Sequence, residues 1–143
     1  MGTNIEVTAE DGNIFRAYLA EPEGSPKGAL VVVQEIFGVN PHIRSVVDRY
    51  AEKGYVVIAP ALFDRVQKNV ELKYDEIGIE EGRRIAFEGV TMDQVITDIK
   101  GACEAVSYAG KIGIVGYCWG GTISYVAAAR LSDKISAASG YYG

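Results

Sequence analysis

The apolar positions of this chain follow two periods, and the switches between them predict its elements. Asn4-Ile5-Glu6-Val7-Thr8 alternates apolar with polar side chains, the two-residue period of a strand with one covered face. Glu10-Asp11-Gly12-Asn13 supplies turn chemistry, and Ile14 to Leu19 reads as the return strand of a hairpin. After a loop from Glu21 to Lys27, Ala29-Leu30-Val31-Val32-Val33 is apolar without interruption, which predicts a strand covered on both faces. Asn40-Pro41 then has the form of an N-cap followed by proline at the first helical position. Ile43, Val46, Val47, Tyr50 and Ala51 share one helical face, and Gly54 ends that helix. Tyr55 to Ala59 is a second buried strand, stopped by Pro60. Strand, helix and strand in this span make a βαβ unit and therefore a parallel sheet.

The stretch from Leu62 to Gly89 is charged and irregular and predicts a loop carrying one helix over Asp75 to Phe87. A clearer helix runs from Thr91 to Tyr108, with Met92, Val95, Ile96, Ile99, Ala102, Cys103 and Val106 as its apolar stripe. Lys111 to Tyr117 reads as a short buried strand, followed by a very tight turn and a helix rich in small residues. Ile135 to Tyr142 forms one more strand. The pattern is an α/β fold: a mostly parallel sheet with an N-terminal antiparallel hairpin, in one domain over residues 1–143 without repeat or linker.

Composition narrows the partners. Apolar residues make up 48% of the chain and charged residues 23%, the range of soluble globular proteins. A formal net charge of −5 without any basic run argues against a nucleic-acid surface. No apolar run approaches membrane-spanning length. The polar, acidic start has no secretory signal, and Glu6 breaks a myristoylation motif. The two cysteines stand fifteen positions apart, with no C-x-x-C and no metal-ligand cluster, so neither metal nor cofactor is expected. Free thiols point to a reducing cytosol and a cytoplasmic location.

The chemistry concentrates in Gly116-Tyr117-Cys118-Trp119-Gly120, where a cysteine sits two residues from a glycine on either side. This is the cysteine form of the G-x-S-x-G nucleophile elbow of α/β-hydrolases, whose sharp turn leaves room only for very small neighbours. The thiolate is the reactive form, and a helix N-terminus favours it. Attack on an ester or lactone carbonyl would create an oxyanion, then a thioester that water hydrolyses with the help of a base. The elbow offers the backbone N–H of Trp119 to the oxyanion. Acid and base follow the nucleophile in hydrolase order, but the only histidine, His42, precedes it. The catalytic aspartate and histidine are therefore expected beyond Gly143, and the domain is expected to be incomplete. His42 reads more simply as a helix-surface residue than as the base.

Gln34-Glu35-Ile36-Phe37-Gly38-Val39-Asn40, Gly116-Tyr117-Cys118-Trp119-Gly120-Gly121 and Gly140-Tyr141-Tyr142-Gly143 closely resemble motifs of the dienelactone hydrolases, or carboxymethylenebutenolidases. The resemblance runs over essentially the whole chain, in the family's order and spacing. It implies a cysteine nucleophile at Cys118 that opens an unsaturated lactone in aromatic-compound catabolism. It points to the backbone N–H of Ile36 as the second oxyanion donor. It also implies that Glu35 controls cysteine protonation and organises substrate binding. The family often places a carboxylate-binding arginine on the variable helix, where Arg83 and Arg84 lie, and Phe87 takes an aromatic position lining the pocket.

Simpler readings stand beside these. A free cysteine is often a small buried hydrophobe, which is the reading for Cys103 in its apolar stripe. Glu35 could be a strand-end carboxylate paired with an arginine, and Arg83 and Arg84 a solvated helix face. A nucleotide-binding oxidoreductase would use glycines at such a turn, but G-x-G-x-x-G and its downstream acid are missing. A non-catalytic truncated product is the remaining alternative. Cut at this point, the 135–142 strand would be an apolar unpaired edge, which predicts poor solubility for these residues alone.

Overall fold

The computed structural model describes all of residues 1–143. Strands β1 (Thr3–Thr8) and β2 (Ile14–Ala20) form the predicted hairpin. They are followed by β3 (Ala29–Val33), α1 (Pro41–Glu52), β4 (Val56–Pro60), α2 (Glu76–Arg84), α3 (Met92–Ala105), β5 (Ile112–Tyr117), α4 (Trp119–Arg130) and β6 (Ile135–Tyr141). The six strands form one sheet in the order β1-β2-β4-β3-β5-β6. β1–β2 and β2–β4 pair antiparallel, while β4–β3, β3–β5 and β5–β6 are parallel. No helix is long and apolar enough to cross a membrane.

Helices cover both faces of the sheet, which is why β3 and β4 are apolar throughout. On one face α1 places Ile43, Val46 and Val47 against Val32, Val57 and Val115. On the other, α3 and α4 place Val95, Ile99, Cys103 and Ile123 against Phe15, Val31, Ile58 and Ile114. Each such side chain taken fully from water contributes about 1.5–3 kcal/mol. The caps read from the sequence are present: the Asn40 side chain accepts from the Ile43 N–H at 3.1 Å, with Pro41 opening the helix. α3 starts one residue later than the sequence reading. Its N-cap Thr91 closes a capping box with Gln94, an arrangement the apolar stripe does not encode.

Three differences from the sequence reading have physical causes. The 62–89 stretch is more ordered than a loop with one helix: a 3₁₀ turn spans Leu62–Arg65, and α2 runs into a π-helical turn over Ile85–Gly89. α3 ends at Ala105 rather than 108, and a 3₁₀ turn (Ser107–Ala109) carries the chain into Gly110 at φ +105°. The apolar stripe of α3 also admits a buried carboxylate, Asp98. Arg65 grips it through Nε–Oδ2 at 2.9 Å and a second nitrogen on Oδ1 at 2.8 Å, and the Asn13 amide donates to it at 3.1 Å. Burial outweighs these partners and pushes the Asp98 carboxyl above its ordinary value.

β6 lies at the sheet edge beside β5 alone. Ser136 to Ser139 are exposed along it, and their side chains are small. The C-terminal ends of the parallel strands β3 and β5 lie side by side, Val33 opposite Gly116. Open α/β sheets collect ligand sites at such ends.

Candidate active site

β5 ends in the predicted turn. Cys118 stands at φ +57°, ψ −122°, a backbone region non-glycine residues rarely adopt. The turn is closed by the Cys118 N–H donating to the Tyr141 carbonyl at 2.8 Å, and by the Gly121 N–H donating back to the Cys118 carbonyl at 2.8 Å. Its two glycines are required by close approach. A Cβ on Gly116 would overlap the Gly120 carbonyl, and one on Gly120 would overlap the carbonyls of Val33 and Gln34. Backbone therefore fills the space beside these glycines, which leaves none for a pyrophosphate. Trp119 opens α4, whose first N–H groups have no partner within the helix.

The exit of β3 approaches the same turn. Gln34 is wholly buried; its Nε2 donates to the Glu35 carbonyl at 2.9 Å, and its Oε1 accepts from the Leu62 N–H at 3.1 Å. Glu35 is also buried, at 9% exposure, and no arginine pairs with it. Its Oε2 accepts from the Tyr142 hydroxyl at 2.6 Å, while Oε1 has no partner. Loss of solvent, followed by the hydrogen bond to Glu35, holds the Tyr142 phenol well above its ordinary value. A buried carboxylate oxygen without a partner is costly and marks a place where a ligand atom or a further polar group fits.

Cys118 opens onto a cavity of about 860 Å³, which Ile36, Trp119 and Tyr142 also line. Ile79, Ala86, Phe87, Val90 and Met92 make much of the remaining wall apolar, and Arg83 is the single cation in it. α2 and its π turn thus carry one wall, in keeping with the frequent occurrence of π turns at functional sites. The site residues read from the sequence divide accordingly. Cys118, Ile36, Trp119, Arg83 and Phe87 meet at the cavity, and Glu35 lies behind it, bonded to Tyr142. Arg84 does not line the cavity: it pairs with Glu81 one turn back, beside a neighbouring groove that Arg83 and Phe87 also border. His42 is exposed at the start of α1 and does not line the cavity. Cys103 is fully buried in the core, as its stripe predicts.

Sequence reasoning assigned no site role to Tyr142 or Thr122 and read Met92 only as part of the α3 stripe, yet all three line the cavity. Tyr142 had a signal, since it lies in the Gly140–Gly143 motif, but its partner Glu35 is 107 residues away.

Comparison with known proteins agrees with this geometry. A candidate carboxymethylenebutenolidase of Synechocystis sp. is 35% identical over 147 aligned residues, covering 96% of this chain and 57% of the relative. Carboxymethylenebutenolidase 1 of Cupriavidus pinatubonensis is 32% identical, over 100% of this chain and 62% of its own length. A crystal structure of a candidate dienelactone hydrolase from Klebsiella pneumoniae superposes with a TM-score of 0.79 at 32% identity. It covers 99% of this chain and 60% of that one. The chain thus spans about half to three fifths of the length of the curated relatives it matches. The sequence profile of the Dienelactone hydrolase family matches residues 15–143. With that match over nearly its whole length, and with an elbow, strand exit and cavity arranged as described, the chain belongs to the dienelactone hydrolase family.

Proposed function

We propose that this chain is the nucleophile-bearing part of a cytoplasmic hydrolase that opens a lactone or cleaves an ester by way of a thioester on Cys118. The observation that carries the reading is the backbone of Cys118, held at φ +57° where β5 meets α4 and opening onto an apolar cavity. Strain of this kind persists where the surrounding structure over-determines it, and here the two glycine contacts do so.

The sulfur adds to the carbonyl carbon, and the displaced electron pair moves to the carbonyl oxygen. The backbone N–H groups of Ile36 and Trp119 receive the charge that develops there. Collapse re-forms the carbonyl and expels the alkoxide or enolate oxygen, which stays tethered when the substrate is a lactone. Water then attacks the thioester and the sulfur leaves. Glu35 exchanges the proton of the thiol, with Tyr142 holding its second oxygen. Arg83 meets a substrate carboxylate, and the apolar wall with Phe87 takes the carbon skeleton, as suits a product of aromatic catabolism. The aspartate and histidine that activate water come from a part of the protein outside these residues.

Incubation with p-nitrophenyl acetate tests this. A stoichiometric burst of p-nitrophenolate is expected, with an acetyl group on the peptide containing Cys118 in the mass spectrum. Cys118→Ala abolishes both. Acetylation at Cys103, or none in the native protein, overturns the assignment. Sustained Cys118-dependent turnover by these residues alone would move the base to a group within them, His42 first.

A further inference from the structure

Gln34 is polar, fully buried and absent from the cavity wall, and both its hydrogen bonds go to backbone. One neighbour is a carbonyl and the other an N–H, so only one orientation of the carboxamide satisfies both. The carbonyl it holds, that of Glu35, belongs to the same peptide unit as the Ile36 N–H. That unit is planar and trans, so its oxygen and its N–H point in opposite directions. Whatever fixes the Glu35 oxygen also fixes where the Ile36 N–H aims. The same stretch is pressed from two other sides. A Cβ on Gly82 of α2 would overlap the Ile36 carbonyl, and Gly120 packs on the carbonyls of Val33 and Gln34.

We propose that Gln34 is a positioning residue for the oxyanion donor: its carboxamide ties the Glu35–Ile36 peptide plane to the backbone of Leu62, so that the Ile36 N–H meets the oxygen of the tetrahedral intermediate. This rests on the roles of Cys118 and Ile36 proposed above. A merely structural Gln34 would satisfy two buried backbone groups without affecting one kind of reaction at the sulfur more than another. A donor-aiming Gln34 affects only reactions that build negative charge on a carbonyl oxygen.

Two reactions of the same thiol separate these cases. Iodoacetamide alkylates Cys118 by direct displacement: a C–S bond forms, iodide leaves, the thiol proton goes to solvent, and no oxyanion arises. With p-nitrophenyl acetate the sulfur adds to the carbonyl, an oxyanion forms, and p-nitrophenolate leaves. Gln34→Glu keeps an acceptor for the Leu62 N–H but sets an acceptor against the Glu35 carbonyl, and Gln34→Met removes both bonds at similar volume. In both variants acylation is expected to fall by about 10- to 100-fold more than alkylation does, somewhat less than the loss of an oxyanion donor outright. An unchanged acylation rate, or an equal fall in both rates, overturns the inference. If the native protein acylates no faster relative to alkylation than free cysteine does, the oxyanion reading of the site fails instead.

A measurement on the native protein covers the case in which neither variant folds. A trifluoromethyl ketone adds to Cys118 as a hemithioketal, the sulfur bonding to carbon and the carbonyl oxygen taking the charge. The backbone amide of Ile36 and the side-chain amide of Gln34 are expected to shift together in the NMR spectrum. A shift at Ile36 without one at Gln34 overturns the coupling.

Discussion

Cys103 lies within α3 with no exposed surface, whereas Cys118 stands half-buried at the one turn where a strand feeds a helix at positive φ. Both are free thiols, fifteen residues apart. Along α3 the helical period turns the Cys103 side chain into the core, and burial pushes its thiol up to about 11. At the elbow the backbone turns the side chain out of the helix it precedes and over the cavity. The lesson is that a thiol becomes a candidate nucleophile by where the backbone carries it. Around Cys103 the chain spends side-chain contacts to bury a sulfur, and around Cys118 it spends glycines to present one.

The largest expected contrast is chemical access. In the folded protein iodoacetamide should label Cys118 and leave Cys103 unlabelled, with both labelled in urea; peptide mass spectrometry reads the two sites separately. Equal labelling of the native protein would erase the distinction.

Next in size is a matched pair of glycines. Gly120→Ala drives a methyl group into backbone carbonyls and should cost about 3 kcal/mol or more in urea unfolding. Gly101→Ala, in α3 beside Cys103, meets only ordinary contacts, at 3.4 Å from Val7 Cγ1 and beyond. It should gain up to about 1 kcal/mol of helix propensity. Similar losses at both positions would show that the elbow is no tighter than the core helix.

Cys103 contributes to the alkaline limb of stability beside the phenols of Tyr18, Tyr108, Tyr117 and Tyr142, which burial also pushes up. The folded value of Cys103 lies above the 9.0 of the free thiol, so its contribution is fully present below pH 9 and is lost as the pH rises through about 11. The total is up to about 3 kcal/mol. Cys103→Ala should remove this share of the alkaline loss in pH-dependent melting curves, and Cys118→Ala should leave it in place.

The smallest contrast is one of sign. Cys118→Gly relieves a positive φ and should raise stability by about 1 kcal/mol while removing the thiol. Cys103→Gly should lower stability by about 1–2 kcal/mol, chiefly through the cavity left in the core, with a few tenths from helix propensity. Thermal melts that fall for both would remove strain from the account of the elbow.

Legibility followed the range of the interactions. α1 and α3 were readable because their apolar periods report a single burial face, β3 and β4 because their unbroken apolar runs report two covered faces, and the elbow because its small residues lie two positions from Cys118. The helix read over Asp75 to Phe87 is present as α2 and its π turn, but its docking was not legible: within α2 only Gly78 and Gly82 are buried, and Ile79 lines the cavity instead of the core. Arg83 and Arg84 are neighbours whose directions differ by the helical turn, and only the docking of α2 on the Ile36 loop sends the first to the cavity and the second to Glu81. Asp98 sits inside an apolar stripe because Arg65 and Asn13 reach it from 33 and 85 residues away.

The sequence by itself determined the α/β class, the order of the strands and helices along the chain, the elbow and the identity of its thiol. Those features depend on steric and periodic relations among residues within a turn or two of each other. Only the tertiary structure decided that Glu35 meets Tyr142, that Gln34 holds the peptide of Ile36, and which arginine enters the cavity. These are contacts between buried polar groups and elements far apart in the chain, or choices between adjacent side chains on one helix. Neither leaves a local period to read, because packing sets them only once the sheet and helices have come together.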